Sequence, residues 1–525
     1  ALGKALFFAM CEEEEVYCPE LQDTTQGKSL GKTCMKCKES SAVLLIRAGD
    51  AFCKSCFKEY FVHKFRATLG KNRVIYPGEK VLLAFSGGPS SSAMVQQVQE
   101  GMSRDAPKKL RFVPGILFID EGTTCGMSHE ERQQNMSEVQ NVLQQTGFPF
   151  YIVSLEQVFS LPGSILQRGV PEQRANYKQE VDRFMVQQQA QGETGCSDIL
   201  ENLAKLGVNV SESSRECDKM FQSTCRHPPD THTQKLIQLF TSAKTLTAKH
   251  QLLHTLRSHL ILHIARTCGY SKVMSGESCT RLSVSLLSNI SLGRGAFLPL
   301  DTGFCDSRYG DVDIIRPMRE YSLKEIAFYN RLFHVSSVFI QALNTKVLEN
   351  SSIQQLSEVF INRLQADFPS TVSTVYRTSE KLNVSKIDAN QGTCAKERCL
   401  LCLSPLDTQV GEASAFHATQ ISHYISQKIL MKFNDPANSS GKSCCQEGKC
   451  CKGPGYGDFC QPRALQAPSF VDMLCYGCRL TVKDLQSLDA LPQYVLHEAE
   501  HRSRRIEMRK EIEEFLLDKD EENLH

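Results

Sequence analysis

A run of serines and glycines follows the apolar segment Val81–Phe85 in an order that suits the binding of an anion. A buried strand, a tight turn and a helix N-terminus would together expose backbone N–H groups at the positive end of a helix dipole. Glycine lets such a backbone approach a phosphate closely and allows a corner that a β-carbon would crowd. The Gly-x-x-x-x-Gly-Lys-Ser/Thr pattern is absent, so this is not a Walker-type loop. We call it the serine–glycine loop, and its predicted site residues are Ser86, Gly87, Gly88, Ser90 and Ser91.

Two Cys-x-x-Cys pairs near the N-terminus have the spacing of a zinc site. Residues 38–52 separate the pairs, which lies within the range for paired zinc knuckles. Four thiolates close a tetrahedron around Zn²⁺ and leave no open position, so the predicted site is structural. The alternatives are four buried thiols and a redox pair, but two matched pairs so close together favour a metal. The predicted ligands are Cys34, Cys37, Cys53 and Cys56.

A second set of paired cysteines lies in the C-terminal part of the chain. Residues 403–474 separate its halves, so the spacing alone supports the pairing less strongly. Cys394 is an alternative ligand, and the cysteines between Cys444 and Cys460 are a candidate for a separate metal site. Vicinal cysteines there make poor tetrahedral geometry, so a second zinc knuckle is the preferred interpretation. Its predicted ligands are Cys399, Cys402, Cys475 and Cys478.

Composition limits the class of protein. The 525 residues are 41% hydrophobic and 23% charged, which is typical of a soluble globular protein of two to four domains. The net charge of +1 gives no overall basic field, so any RNA binding must come from local patches or from a partner. No apolar run has the length of a membrane span. We interpret Met10 as a start and find no secretory signal, so the paired cysteines indicate metal sites and a cytoplasmic location.

Short apolar strands and helices must position the serine–glycine loop, and from Lys80 they alternate along the chain. Strands are predicted at Val81–Phe85, Arg111–Asp120 and Phe150–Val153, with helices at Ser91–Glu100 and Glu130–Gln145 between them. This alternation predicts an α/β fold with a doubly wound parallel sheet, flanked by the zinc-knuckle modules. Ligands of such sheets bind at the carboxyl ends of the strands, where the loop falls.

The order of these segments along the chain predicts its domains. A long apolar helix carries the histidine pairs His250/His254 and His259/His263, for which packing is preferred over metal binding. Ser322 and Glu325 predict the capped start of a later helix. The predicted organisation is a flexible N-terminus at 1–30, a zinc module at 31–75, an α/β domain at 76–155 and 236–390, an insertion at 156–235, a second zinc module at 391–480 with a disordered insertion at 403–470, and a charged helix at 481–525.

The serine–glycine loop resembles the Ser-Gly-Gly-x-Asp-Ser pyrophosphate loop of the N-type ATP pyrophosphatases, a class with an adenine nucleotide alpha hydrolase-like fold. The double Cys-x-x-Cys, the helix at Phe57–Arg66, the segment Val81–Met94 and the run Ile315–Glu320 occur in the same order as in the cytoplasmic tRNA 2-thiolation protein 2 family. The resemblance covers most of the chain outside the two insertions.

That resemblance implies a heterodimer with the catalytic thiolase, cytoplasmic tRNA 2-thiolation protein 1. It also implies that the substrates are the tRNAs for Lys, Glu and Gln, that a thiocarboxylated ubiquitin-related modifier donates the sulfur, and that the complex consumes ATP. Whether this chain itself binds ATP is left open.

Three departures from the active thiolases indicate a subunit without catalysis. Ser90 stands where the loop should carry an Asp, and a hydroxyl cannot replace a carboxylate as a ligand for Mg²⁺. The stretch Gly276–Arg281 replaces a Gly-His-Asn-x-x-Asp-Asp element and has no Asp pair. His250 and Leu253 lie where active members carry a Cys-x-x-Cys on the preceding helix. Two alternatives remain, an active ATP-dependent adenylating sulfurtransferase and a zinc-based binding module without a thiolation role.

Basic residues near these elements are the predicted contacts to tRNA, since arginine and lysine suit phosphate. One set follows the first cysteine pairs and the other lies near the serine–glycine loop. The candidates are Lys54, Lys58, Lys64, Arg66, Arg281, Arg294, Arg316 and Arg319.

Overall fold

The computed structural model describes residues 31–46, 50–103, 109–170, 176–190, 228–343, 352–368, 370–381, 398–406 and 470–513. The predicted N-terminus at 1–30, Cys394, the cysteines from Cys444 to Cys460 and most of the predicted insertion at 403–470 lie outside these residues. The chain divides into one unit of residues 1–392 with 480–495 and a second unit of residues 393–479 with 496–525. In the described part, no helix is long and apolar enough to span a bilayer.

The first unit contains a six-stranded sheet in the order β5-β4-β3-β6-β8-β7, and a separate hairpin of β1 and β2. All neighbours in the large sheet are parallel except β7, which runs antiparallel to β8 at the edge. The strands are β1 Leu44–Leu45, β2 Ala51–Phe52, β3 Lys80–Phe85, β4 Val113–Asp120, β5 Phe150–Ser154, β6 Lys272–Ser275, β7 Cys305–Asp306 and β8 Asp313–Ile315.

The strand order confirms the predicted doubly wound sheet. The chain moves outward from β3 to β4 and β5, and then returns to add β6 on the other side of β3. Right-handed crossovers in opposite directions place their helices on opposite faces, which buries the central strands on both sides. Val81, Leu82 and Leu83 of β3 are accordingly inaccessible to solvent. The reversal between β3 and β6 is the point where such sheets open a crevice at the carboxyl ends of the strands.

Helices and turns connect these strands. Ser128 and Ser322 each form a capping box with a glutamate three residues later, as the pair Ser322 and Glu325 predicted. The helices are α1 Lys54–Asn72, α2 Pro89–Met102, α3 His129–Gln144, α4 Tyr177–Ala190, α5 Asp230–Ser242, α6 Leu246–Thr267, α7 Cys279–Ser291, α8 Leu298–Thr302, α9 Leu323–Phe333, α10 Ile353–Asp367, α11 Thr371–Glu380, α12 Tyr476–Lys483 and α13 Gln493–Glu513.

The helix that follows the first cysteines packs into the core of the α/β fold. Phe57, Phe61 and Phe65 recur on one face of α1 and are buried in the same hydrophobic cluster as β3, α2 and α9. The rings of Phe61 and Tyr329 stack at 4.0 Å between centroids. The N-terminal cysteine region and the sheet therefore share one hydrophobic core.

Candidate functional site

Serine hydroxyls hold the serine–glycine loop in shape at the carboxyl end of β3. The backbone N–H of Ser86 donates to Ser91 Oγ at 3.2 Å, and Ser91 Oγ donates to the carbonyl of Gly88 at 2.9 Å. Gly88 is the N-cap of α2, and Pro89 occupies its first turn, where no N–H is required. The strand, turn and helix thus follow one another as the sequence predicted. The assignment of the loop as a nucleotide site stays a prediction.

The two glycines of the loop have different roles. Gly87 has φ of +81°, and a β-carbon there would lie 2.9 Å from Ile340 Cδ1. Gly88 has φ of −72°, and a β-carbon there would lie 3.6 Å from Ser86 Oγ, which is an ordinary contact. The expectation that a β-carbon would crowd both positions is therefore correct for Gly87 and wrong for Gly88.

A segment of this chain crosses the loop on the side of Gly87. We call residues 335–343 the strap. The backbone N–H of Val338 donates to the carbonyl of Gly87 at 2.9 Å. Val338 is buried in the main hydrophobic cluster, and Ile340 packs against the same cluster. The sequence offered no signal for this contact because it joins positions that are far apart in the chain.

Ser90 and the stretch Gly276–Arg281, which were singled out in the sequence, lie against each other in the structure. A β-carbon on Gly276, which follows β6, would lie 2.9 Å from Ser91 Cα and 3.2 Å from the carbonyl carbon of Ser90. The first turn of α2 contains no acidic residue. The turn after β6 caps α7 through Ser278, whose hydroxyl accepts from the N–H of Arg281 at 3.3 Å. The first turn of α2 therefore offers no carboxylate to the crevice between β3 and β6, and Glu277, the carboxylate within Gly276–Arg281, lies 2.7 Å from Arg316.

Carboxylates do occur at the end of β4, but arginines bind them. Arg132 donates through Nε to Asp120 at 2.8 Å and lies 2.9 Å from Glu156 Oε1 through Nη1. Arg257 of α6 forms a bidentate pair with Glu121, with Nη2 2.8 Å from Oε2. We did not identify these residues from the sequence. The sequence signal that pointed to this cluster was Asp120, the acidic residue at the end of a predicted strand.

Helix α6 places its histidines in different surroundings. His254 is exposed on the surface of α6. His259 is buried, with Nδ1 2.7 Å from the hydroxyl of Tyr494. Leu253, at a position where active members carry cysteine, is also buried. Every residue of α6 is described, and none is a cysteine.

A cleft of about 930 Å³ lies beyond the ends of β4 and β5. Residues of β4, α3, α5, α6 and the strap line it, and the serine–glycine loop is not among its walls. Its lining includes Asp120, Met127, Arg132, Phe240, Lys249 and Leu343.

The first cysteine set converges in the structure. The sulfur atoms of Cys34, Cys37, Cys53 and Cys56 all lie within 4.8 Å of one another, and those of Cys37 and Cys53 are 4.0 Å apart. Zn–S bonds of about 2.3 Å in a tetrahedron require sulfur atoms about 3.8 Å apart, so the spacing fits zinc.

Hydrogen bonds around the first set favour thiolates at three of its positions. Burial opposes ionisation of Cys34, but backbone N–H groups outweigh it and lower its pKa. The backbone N–H groups of Ser40 and Glu39 lower the pKa of Cys37, and the hydroxyl of Ser55 lowers that of Cys53. Burial and the neighbouring thiols raise the pKa of Cys56 to about 12. This donor set could hold a metal ion, since thiolates are the ligating form of cysteine.

The second cysteine set converges within the second unit. The sulfur atoms of Cys399, Cys402, Cys475 and Cys478 lie within 4.8 Å of one another, and those of Cys402 and Cys475 are 3.5 Å apart. The backbone N–H of Leu400 donates to the carbonyl of Met473 at 3.1 Å, which joins the two halves. Burial raises the pKa of Cys399. The pairing that spacing supported only weakly is present, and this set too could hold a metal ion.

Three of the predicted tRNA contacts are buried inside the fold, and the side chain of a fourth, Lys64, is only 13% exposed. Lys64 lies 2.9 Å from Glu325 Oε1. Arg316 lies 2.7 Å from Glu277 Oε2 and also donates to two backbone carbonyls, while the guanidinium of Arg319 lies 4.8 Å from the centre of the Tyr376 ring. Arg294 is buried as well. These side chains stabilise the fold, and their burial removes them from the surface where RNA phosphates would bind.

The other four candidates remain at the surface. Lys54 and Arg281 are exposed, and Lys58 and Arg66 are partly exposed. Lys58 lies 3.2 Å from Glu100, and Arg281 lies 3.6 Å from Glu358. Their role in RNA binding stays a prediction.

Known proteins provide a comparison for this arrangement. Among solved structures, the chain is similar to the U34-tRNA thiolase NcsA from Methanococcus maripaludis with its 4Fe-4S cluster, at 13% identity and a TM-score of 0.44. That match covers 71% of this chain and 92% of the other. A family model described as cytoplasmic tRNA 2-thiolation protein 2 matches residues 352–480.

Full-length relatives are much closer in sequence. The chain is 99% identical over 516 residues to cytoplasmic tRNA 2-thiolation protein 2 of Xenopus tropicalis, covering 98% of this chain and 100% of the relative. It is 48% identical over 525 residues to the Homo sapiens protein of that name, covering 98% and 99% respectively. The chain therefore belongs to the cytoplasmic tRNA 2-thiolation protein 2 family.

Proposed function

We propose that the chain is the non-catalytic subunit of a cytoplasmic complex that 2-thiolates the wobble uridine of the tRNAs for Lys, Glu and Gln. The observation that carries this proposal is the contact of Ser90 with Gly276–Arg281, where the first turn of α2 has no acidic residue and the carboxylate of Glu277 is paired with Arg316. The catalytic partner would be cytoplasmic tRNA 2-thiolation protein 1, and the sulfur would come from a thiocarboxylated ubiquitin-related modifier.

The surroundings of the crevice support the loss of catalysis. Asp120 and Glu121 at the end of β4 are engaged by Arg132 and Arg257, so their charge is already compensated by this chain. Adenylation needs hard oxygen ligands for Mg²⁺, and an ion pair with arginine competes with that role. ATP would then be consumed by the partner, while the serine–glycine loop of this chain serves as a corner of the fold.

Structural zinc fits both cysteine sets. Four thiolates complete the tetrahedral shell of Zn²⁺, so neither set leaves a position for a substrate or an activated water. The ions would hold together the N-terminal segment before α1 and the segments around Cys399 and Cys475. Their contribution is to folding, with no step of the thiolation assigned to them.

The measurement that tests the proposal is the thiouridine content of the Lys, Glu and Gln tRNAs in cells that lack this chain. We expect the modification to be lost although the catalytic subunit is present, and to return when the wild-type chain is supplied. Normal thiolation in its absence would refute the role.

Activity of the isolated chain separates this proposal from an active adenylating enzyme. We expect no tRNA-dependent release of pyrophosphate from ATP by the purified chain alone. Substitution of Ser90→Asp alone should not create it, because Gly276–Arg281 would still lack its acidic pair. Pyrophosphate release that disappears in Ser86→Ala would establish the catalytic alternative.

A further inference from the structure

We propose that the outer side of α1, together with the cysteine turn beside it, binds the phosphate backbone of a tRNA stem without reading its sequence. This inference rests on the proposed function, since it assigns a binding surface to the subunit that would hold tRNA. We call this surface the α1 outer face. It consists of Lys36, Lys38, His63, Arg66 and Arg73, all in the first unit.

The N-terminal segment differs in charge from the rest of the chain. Residues 31–73 contain ten lysines and arginines but three aspartates and glutamates, a net charge of +7, whereas the whole chain has +1. The remaining residues together are therefore acidic. Four thiolates around Zn²⁺ would offset only part of the positive charge. A local field of this kind attracts an anionic polymer although the chain as a whole is nearly neutral.

Helical geometry determines which residues of α1 share the side opposite its buried phenylalanines. Glu59, His63 and Arg66 follow one another at spacings of four and three residues, so they lie along one face. Arg73 is seven residues beyond Arg66, about two turns, and its N–H still donates to the carbonyl of Leu69 at 3.1 Å, as in a continued helix. Arg73 therefore returns to the same face. All four of these side chains on the face are exposed or partly exposed.

A surface ion pair joins the cysteine turn to this face. Lys36 Nζ lies 2.7 Å from Glu59 Oε2, and the two side chains are 48% and 67% exposed. Lys38 follows in the same turn, where its N–H donates to the carbonyl of Cys34 at 2.8 Å. Glu59 is the single carboxylate in the sequence of α1, and Lys36 neutralises it. The turn and the helix therefore present one continuous surface whose remaining charges are positive.

The fold does not use these remaining charges. Among the residues that the structure describes, no carboxylate lies within 4.0 Å of Lys38, Arg66 or Arg73. Lys64 of the same helix, in contrast, lies 2.9 Å from Glu325 Oε1 and is committed to the packing of α1. An exposed cation without a carboxylate partner can bind a phosphate while every contact of the fold stays in place.

The composition of the α1 outer face favours a phosphate backbone over an unpaired base. Every residue of α1 is described; its three phenylalanines are buried, and the hydroxyl of Tyr60 donates to Glu325. The face therefore lacks the phenylalanine and tyrosine rings on which unpaired bases commonly stack. Phosphate contacts position an RNA but carry no sequence information, and paired RNA is recognised mainly through its shape and backbone.

The same composition disfavours a protein partner. The large apolar side chains near the face are Val62, which is partly buried, and Met35 in the cysteine turn, which is 48% exposed. Protein interfaces concentrate aromatic and apolar residues at their centre and are depleted in lysine. A face of lysine and arginine without such a centre suits a polyanion instead.

The test uses the complex of the full chain with its catalytic partner and two fluorescently labelled transcripts, one of a Lys tRNA and one of a tRNA outside the Lys, Glu and Gln set. The test variant combines Lys38→Gln, Arg66→Gln and Arg73→Gln. We expect its affinity for both transcripts to fall by the same factor, about five- to tenfold for each lost contact at about 0.1 M salt. The slope of log affinity against log salt should become shallower by about two to three.

The matched control variant combines Lys178→Gln, Lys235→Gln and Lys381→Gln, three exposed lysines of the first unit outside the α1 outer face. It removes the same charge, so a change of net charge alone would affect both variants equally. We expect the control to keep the affinity and the salt slope of the wild type. Both variants should also keep its unfolding midpoint, because none of the six side chains is buried.

Equal salt slopes of the test and control variants would overturn the inference while leaving the proposed function intact. A loss of affinity confined to the Lys transcript would show that the face reads bases, which also overturns it. Loss of the catalytic partner from the test variant, with RNA affinity unchanged, would assign the face to a protein and overturn it as well. A wild-type complex that binds neither transcript would refute this inference, and the thiouridine measurement would then decide separately on the proposed function.

Discussion

Gly87 and Ser90 lie in one loop, yet they constrain the molecule in different ways. Gly87 combines a φ of +81° with a close approach by Ile340, so both its backbone and its lack of a side chain are required. Ser90 lies in the first turn of α2 and has neither constraint. The fold alone therefore requires a glycine at position 87, whatever the loop binds.

We expect Gly87→Val to destabilise the first unit by about 2–3 kcal/mol, because it adds both backbone strain and a clash with the strap. The strap should become accessible to protease in the variant. Ser90→Ala removes only a hydroxyl and should change stability by less than about 0.5 kcal/mol. Denaturant unfolding and limited proteolysis measure the two effects. Equal stability of Gly87→Val and the wild type would contradict the close approach of the strap.

At the scale of the helices, the interface between α1 and α9 combines a buried ion pair with stacked aromatic rings. The ammonium of Lys64 and the hydroxyl of Tyr60 both donate to Glu325 Oε1 at 2.9 Å. Glu325 also closes the capping box of α9, so one carboxylate both caps the helix and binds Lys64 across the interface. Burial raises the pKa of Glu325, but the charge of Lys64 and the N–H of Ser322 outweigh burial and lower it below the ordinary 4.5.

The lowered pKa of the Glu325 carboxyl makes the interface between α1 and α9 sensitive to acid. The stabilisation is present above the ordinary pKa and is lost as pH falls through the folded value, so we expect stability to decline from about pH 5 downward. Glu325→Gln should reduce this decline. Lys64→Met should cost about 3–5 kcal/mol at neutral pH, because it leaves a buried carboxylate unpaired. The exposed pair of Lys36 and Glu59 is the control, and Lys36→Met should cost less than about 1 kcal/mol. Unfolding midpoints across pH check both expectations.

At the scale of the whole molecule, the two cysteine sets place one candidate metal site in each unit. The first set precedes α1, which packs into the core of the first unit, and the second set lies in the second unit. Each set brings together two separate Cys-x-x-Cys pairs, so a metal bound by either set would close a loop of the chain.

We expect the purified full chain to contain two zinc ions. Cys37→Ser and Cys402→Ser should each remove one of them and expose only their own segment to protease, since each substitution breaks one four-thiolate shell. Cys125→Ser is the matched control, because this free thiol lies outside both sets. Elemental analysis of the variants measures the result. Retention of both ions in Cys37→Ser would refute the first site.

The sequence by itself determined the features that depend on local order: the cysteine pairs, the strand–turn–helix around Ser86, the capping box at Ser322 and the alternation that indicates a doubly wound sheet. Tertiary structure decided which side chains meet. It joined the halves of the second cysteine set, buried Arg316 and Arg319 that charge alone had suggested for RNA, and laid the strap across Gly87. The physical reason is that propensity and spacing act over a few neighbouring residues. Burial and ion pairing, in contrast, depend on contacts such as Lys64 with Glu325, which only the packed core brings together.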